Sequence, residues 1–236
     1  MTTTHTPTAV LVEPATSTPP VRTVAVGRRT AAVALVVGAA LNTAEAVVTG
    51  AVLGGRDRSP AEELAAAVAN PGATVAIAVL GIASVPALLV GFQAMAHLVR
   101  FRLPRFGAVA AVLTYVGVLG FMAMQGLSLV KGILIGDGTR HTDAILALQE
   151  SPLALVAVAP FLLGMFGGMA LLTAGLFAHR RVPRWIPVAF ALFWLLDLAV
   201  GAVGPVDPHW LFLAGSAGLA VAVIRAGDQR WRDRSL

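Results

Sequence analysis

The sequence predicts an all-α fold, a polytopic transmembrane helical bundle with six spans and two short external interfacial helices. Three observations predict this class: the composition, six long apolar runs, and arginines that follow every second run. Of the 236 residues, 57% are hydrophobic and 12% are charged, and the mean hydropathy is +0.82. Soluble domains usually carry about 25% charged residues. A chain this apolar cannot cover a water-soluble surface, whereas a bilayer requires an apolar one.

The apolar runs define the predicted spans, because about 20 apolar residues are needed to cross the hydrocarbon core. We predict a disordered cytoplasmic tail over 1–29, a six-span membrane domain over 30–226 and a basic cytoplasmic tail over 227–236. The Thr- and Pro-rich start lacks helical periodicity, which favours disorder. In order, the runs cover 30–53, 72–99, 106–134, 152–179, 185–204 and 209–226.

Basic residues predict the orientation. Thirteen of the seventeen Arg and Lys residues fall on one predicted side and four on the other. The positive-inside rule then places both termini in the cytoplasm, in a bacterial plasma (inner) membrane. The basic side holds Arg22, Arg28, Arg29, Arg100, Arg102, Arg105, Arg180, Arg181, Arg184, Arg225, Arg230, Arg232 and Arg234, and the other side holds Arg56, Arg58, Lys131 and Arg140.

The first span has an alternative interpretation as a signal peptide. Arg28-Arg29, the apolar stretch 31–41 and Ala44-Glu45-Ala46 imitate a cleavable signal with an A-x-A site. Cleavage would leave five spans. The apolar character resumes after Glu45 as far as Leu53, which favours an uncleaved helix.

A duplicated unit is predicted over 59–131 and 142–204. In each copy a short external helix, ending at Asn70-Pro71 or Ser151-Pro152, is followed by a span, an Arg-x-Pro-Arg-aromatic turn and a second span. Ser59 to Glu62 has capping-box spacing. We expect the short helices to lie in the interface or cap the bundle. Their apolar faces are Leu64 with Val68 and Ile145 with Leu148.

Two carboxylates inside spans are the candidate functional groups, since an ionisable residue costs at least about 2.5 kcal/mol in the membrane. Glu45 and Asp197 are predicted at similar depth, about 18–21 Å from the inner face at 1.5 Å per residue. Facing each other, they could bind a cation, carry protons or meet a basic group. Alternatively, each is paired within the bundle or reaches the interface. The predicted polar neighbours are Asn42, Gln125, Tyr115 and Lys131.

Other polar and small residues have structural interpretations. His97 and His179 end two spans and are predicted to cap their own helices. Gly164 and Gly168 form a GxxxG motif, which we expect to pack inside the bundle. The cytoplasmic basic belt is explained by topology, with anionic lipid headgroups as a candidate partner. Its members are Arg100, Arg102, Arg105, Arg180, Arg181 and Arg184.

Several functions are disfavoured by what the sequence lacks. It contains no cysteine, which excludes disulfides and thiolate chemistry. It contains no HExxH, GxSxG, Walker A or paired Asp-rich motif. The pI of 11.2 follows from loop arginines, so we expect no nucleic-acid partner. We expect no metal, no cofactor and no enzymatic activity.

Soft motifs resemble a known group. They are Glu45 in the first span, Asn70-Pro71, Glu150-Ser151-Pro152, the turn from Arg181 to Trp185, Asp197 and Gly204-Pro205. With these features the chain resembles the uncharacterised six-span integral membrane proteins of actinobacteria, a bacterial domain of unknown function. The resemblance implies the topology and no particular activity.

These observations predict a non-enzymatic, transporter-like or accessory membrane component with an intramembrane acidic pair. Two alternatives stay open. The first is a structural or regulatory partner or permease subunit in a larger membrane complex, including a homo-oligomer. The second is a membrane-embedded lipid-modifying enzyme, for which His97 and His179 are the best candidates.

Overall fold

The computed structural model describes residues 26–54, 59–201, 207–234 and 236, and this part of the chain is all-α, as predicted. A short 3₁₀ turn, Gly138–His141, joins two of the helices. The helices are α1 (Arg28–Val52), α2 (Pro60–Ala69), α3 (Pro71–Val99), α4 (Pro104–Gly136), α5 (Thr142–Glu150), α6 (Pro152–Ala178), α7 (Trp185–Ala199) and α8 (His209–Arg232).

Five helices in the described residues are long and apolar enough to cross a membrane, namely α1, α3, α4, α6 and α8. The sixth predicted span corresponds to α7, which is apolar but has only 15 residues. At 1.5 Å per residue it is about 22 Å long, shorter than a hydrocarbon core of about 30 Å. Its predicted end at 204 lies outside the described residues.

Six helices form a closed ring. Each packs against the next in the order α1, α3, α4, α6, α7, α8, and α8 returns to α1. The contact between α6 and α7 is the smallest in this ring. The outer surface is apolar: Val33, Ile133 and Leu163 are 61%, 65% and 73% exposed. Such a surface suits lipid and not water, so the fold is that of an integral membrane protein.

Helix α1 bears on two predictions about the start of the chain, the disordered tail over 1–29 and the cleavable signal peptide. Helix α1 begins at Arg28, two residues before the predicted start, and continues through Glu45 without a break. It packs against both α3 and α8. Residues 1–25 lie outside the described part, and so do Arg56 and Arg58.

Glycines bring α4 and α6 into backbone contact. A Cβ added at Gly117 would lie 2.4 Å from the backbone N of Met165, and one at Gly164 would lie 2.3 Å from the backbone N of Gly117. Gly168 faces Thr114 of α4 in the same way. The prediction that the GxxxG motif packs inside the bundle is therefore confirmed. Only hydrogen at these positions permits this approach.

The two short helices have the predicted boundaries. Ser59 accepts a hydrogen bond from the Glu62 backbone N–H, and the Glu62 carboxylate accepts one from the Ser59 N–H, which completes the capping box. Helices α2 and α5 share a small apolar cluster in which Leu64 and Ile145 are buried. Ile145 and Leu148 line one groove with Leu134 of α4, so they share a face of α5 as predicted, although Leu148 is 42% exposed.

The predicted basic tail 227–236 packs against the bundle in its described part. Gly227, at φ 81°, breaks the helical path, and the chain turns back over the ring. Trp231 is 3% exposed, and its indole N–H donates to the Val26 carbonyl at 2.9 Å. Arg28 pairs with Asp228 at 2.8 Å. The basic segment is therefore a structural element that covers one end of the helices.

His97 and His179 hold this C-terminal segment. Each donates from Nε2 to a backbone carbonyl, of Trp231 at 2.9 Å and of Arg234 at 3.2 Å respectively. The prediction that their side chains cap their own helices is therefore wrong. Both histidines follow an alanine at corresponding positions of the two predicted copies, and both hydrogen bond to the backbone of the C-terminal segment. The duplication itself stays a prediction.

Acid is expected to loosen this segment. Burial lowers the pKa of His179 below its ordinary 6.5, although the hydrogen bond to Arg234 opposes the shift. The folded protein therefore binds this proton less readily than the unfolded chain does. The free energy of unfolding is unaffected by His179 above about pH 6.5 and decreases as the pH falls below that value. Melting temperatures in detergent at about pH 7.5 and 5.5 should differ more for the wild type than for His179→Gln. Equal differences in the two proteins would contradict this assignment.

Candidate functional site

A cavity of about 190 Å³ lies at the centre of the ring. Each of the six ring helices contributes at least one side chain to its wall, so the site exists only in the assembled bundle. Most of the wall is aromatic or apolar. Four residues with polar or ionisable side chains also line it, Asn42, Glu45, Asp197 and His209. The wall consists of Asn42, Glu45, Leu88, Phe92, Phe121, Phe161, Met165, Phe166, Met169, Phe193, Trp194, Asp197, His209 and Phe212.

Glu45 and Asp197 both line this cavity. They come from α1 and α7, which are not adjacent in the ring. Asn42 lies one helical turn before Glu45, on the same face of α1, and it also lines the wall. The structure therefore brings together three of the residues singled out from sequence.

Hydrogen bonds hold Glu45 by one oxygen. The Gln125 amide donates to Oε1 at 3.4 Å. The Thr49 hydroxyl also lies 3.4 Å from Oε1, but its shorter hydrogen bond goes to the Glu45 backbone carbonyl at 2.8 Å. No donor among the described residues reaches Oε2. Gln125 is 6% exposed and does not line the cavity, so it acts behind Glu45 from α4. Gln125 can extend to Glu45 because Gly81 has no side chain. An added Cβ at Gly81 would lie 2.2 Å from the Gln125 side chain.

Asp197 has a different environment. Within the described part of the chain it makes no hydrogen bond and no ion pair, and it lies next to Trp194 and Phe193 on the cavity wall. The Trp194 indole N–H is buried and also lacks a partner among the described residues. The cavity thus offers the Asp197 carboxylate, which no group of the described protein uses.

A buried Asp–His pair at the start of α8 was missed by the sequence reasoning. Asp207 accepts hydrogen bonds from the His209 ring Nδ1 at 2.7 Å and from the His209 backbone N–H at 2.8 Å. Burial raises the pKa of Asp207, but these hydrogen bonds outweigh it, and the net pKa lies below the usual value. The Thr43 hydroxyl of α1 donates to the His209 carbonyl at 3.1 Å. His209 is thereby fixed in the cavity wall, close to the helix that carries Glu45. The signal was present as Asp-x-His before an apolar run.

Two predicted polar neighbours lie elsewhere. Lys131 pairs with Glu63 of α2 at 2.8 Å, because α2 folds over the end of α4 that carries this lysine. Tyr115 is 48% exposed, since it lies on the outer face of α4. Neither residue lines the cavity, so assigning them as partners of the two acids was wrong.

The basic belt lies at the opposite end of the bundle from Lys131, with the C-terminal segment. Arg102 lies over the Phe101 ring, 5.8 Å from its centroid, and Arg184 donates to the Phe177 carbonyl. Arg100 is half-buried, and its Nε has no partner among the described residues. Arg105, Arg180 and Arg181 are exposed. Placement of this end on the cytoplasmic side stays a prediction.

Aromatic rings form the rest of the cavity wall. Phe193 contacts Phe212 at 5.0 Å between centroids, and it meets the His209 ring edge-on at 4.9 Å. Phe121 of α4 packs against Phe161 of α6 at 5.7 Å. No three His, Asp or Glu side chains in the described ranges are placed to hold a metal ion. The site therefore combines carboxylates with ring faces.

Comparisons of the chain with protein-family models, with curated proteins and with solved structures find no match. What the fold and site define is a class: an integral membrane helical bundle with an acidic, aromatic-lined central cavity.

Proposed function

We propose that this protein is a transporter-like membrane component whose central cavity binds a small organic cation. The observation that carries the proposal is that Glu45 and Asp197, from helices far apart in sequence, line one cavity whose other walls are mostly aromatic. Asp197 has no partner among the described residues, and a bound cation would supply one.

The aromatic wall favours an organic cation over a hydrated metal ion. Ring faces attract alkylammonium groups through their quadrupole, with about 2 kcal/mol or more when the pair is desolvated. Phe92, Phe121 and Phe212 supply such rings. A hard metal ion would need several oxygen ligands, and the described residues of the wall provide two carboxylates and the amide of Asn42.

The position of the cavity supports a transport role. Substrate sites of many transporters lie between the helices near the middle of the bundle. Because all six ring helices contribute to this wall, a ligand in the cavity would be surrounded by every helix of the ring. The contact between α6 and α7 is the smallest in the ring, and we propose that the ring opens there.

A matched pair of ligands tests the proposal. Choline and its neutral isostere 3,3-dimethylbutanol have the same shape and differ in charge. Titration calorimetry on the protein in nanodiscs should show choline binding at least about tenfold tighter. Proteoliposomes should then take up labelled choline faster than protein-free liposomes do. Equal affinity for the two ligands, or no binding of choline, would refute a cation site. Binding without uptake would refute the transport role.

The support behind Glu45 gives a further prediction. Gly81→Ala should displace the Gln125 amide, because the added methyl would lie 2.2 Å from it. Glu45 would then lose a hydrogen bond, and choline affinity should change severalfold with little change in melting temperature. Gln125→Leu should give the same change. Gly72→Ala is the control, since an added Cβ there meets nothing within 4 Å in the described residues. If Gly81→Ala and Gly72→Ala bind choline alike, Gln125 does not position Glu45.

A further inference from the structure

A second cavity lies on the outer face of the ring, between α7 and α8. Its volume is about 390 Å³. It is situated at the start of α7 and the end of α8, the end of the bundle that carries the basic belt and the C-terminal segment. It is separate from the central cavity, with which it shares no residue.

Arginines dominate the polar part of this groove. Arg181 comes from the turn before α7, and Arg225 and Arg230 come from α8. No acidic side chain of the described residues lines the groove or pairs with Arg181 or Arg225. Even with a carboxylate at Leu236, which closes one side, the lining keeps a net positive charge. The groove therefore suits an anion.

The remaining wall is apolar and continues along the helices. Trp185, Ile186 and Val221 line it, and Trp185 and Val221 are about half exposed. The Trp185 ring approaches the α8 backbone closely because Gly218 has no side chain. A Cβ there would lie 2.1 Å from the indole. Tryptophan at this level is typical of the region where lipid headgroups meet acyl chains.

We propose that this groove binds an anionic phospholipid. The phosphate would be held by Arg181 and Arg225, and an acyl chain would lie along Trp185 and Val221. Guanidinium groups match phosphate with paired hydrogen bonds, and basic pockets between helices at one membrane face suit such headgroups. A free phosphate shares the first contact but leaves the apolar wall unused, so the wall identifies the lipid as the occupant. This proposal does not depend on cation binding in the central cavity.

Native mass spectrometry in detergent tests the proposal with phosphatidylglycerol and phosphatidylcholine. The wild type should retain phosphatidylglycerol in preference to phosphatidylcholine. The double variant Arg181→Gln, Arg225→Gln should reduce retention of phosphatidylglycerol by about tenfold or more. The control is Arg102→Gln, Arg105→Gln, which removes the same charge at the same end outside the groove. It should retain the lipid as the wild type does.

Three results would overturn the proposal. The first is equal loss of lipid in the groove and control variants, which would indicate a diffuse basic surface. The second is unchanged retention in the groove variant. The third is displacement of the lipid by glycerol phosphate at concentrations equal to that of the lipid, which would identify a phosphate site without lipid contacts. Gly218→Leu checks the apolar part: by displacing Trp185 it should weaken retention while both arginines remain. Melting temperatures of all variants confirm that each protein is folded.

Discussion

Replacing Gly117 by valine should destabilise the whole bundle. The new side chain would begin 2.4 Å from the backbone N of Met165 and 2.7 Å from the carbonyl carbon of Gly164. Both atoms belong to the α6 backbone and cannot move aside without separating the two helices. Overpacking of this kind usually costs 1–3 kcal/mol in a core, and with backbone on the other side we expect about 3 kcal/mol or more.

The same helix offers the control. An added Cβ at Gly126 of α4 meets nothing within 4 Å in the described residues. Gly126→Val should therefore leave the unfolding transition close to that of the wild type. Unfolding in mixed micelles at increasing denaturing detergent, followed by circular dichroism, measures the difference. If Gly117→Val unfolds together with Gly126→Val, the α4–α6 contact is not the close one described.

Neutralising the two cavity acids should strongly lower the affinity for choline. Glu45→Gln with Asp197→Asn should weaken choline binding about a hundredfold, equivalent to roughly 3 kcal/mol, because both anionic groups of the cavity are lost. The substitutions keep the shapes of the side chains, so the melting temperature should not fall. Removing two carboxylates from an apolar wall should, if anything, raise it.

Glu63→Gln with Asp143→Asn is the matched control. It changes the net charge equally at residues outside the cavity. Choline affinity should stay within about twofold of the wild type, although the Lys131 ion pair is lost. A control variant that binds as weakly as the cavity variant would show that the general field of the protein, not the cavity, attracts the cation.

Local signals predicted the fold because they depend on neighbours in the chain. Proline at the first helical position and the capping box fixed the start of α2, and Asn70-Pro71 fixed its end. Apolar length gave both ends of α1, α3, α4 and α6 within two residues and the start of α8, which continues past the predicted end at 226 to Arg232.

Helix rotation and pairing over long distances are not encoded by such patterns. The sequence singled out Glu45 and Asp197 but could not place them on one wall, and it could not place Tyr115 on the outside of α4. Lys131 was matched with the wrong acid because the fold of α2 over α4 is not a local property. Trp231 and Val26 are 205 residues apart, so the sequence could not predict that the C-terminal segment packs against the start of α1. The Asp207–His209 pair is the exception, since its spacing was readable.

Cysteine chemistry can test directly whether Glu45 and Asp197 make the central cavity attractive to cations. The chain has no native cysteine, so Asn42→Cys introduces one thiol into the cavity wall, and Gly72→Cys introduces one at an exposed position outside it. Modification rates are measured with a cationic and an anionic methanethiosulfonate reagent. We expect the ratio of cationic to anionic rate at Asn42→Cys to exceed the ratio at Gly72→Cys by about tenfold or more. Adding Glu45→Gln and Asp197→Asn should bring it down to the Gly72→Cys value. Equal ratios at the two positions, or a high ratio that survives neutralisation of both acids, would show that Glu45 and Asp197 do not attract cations to the cavity.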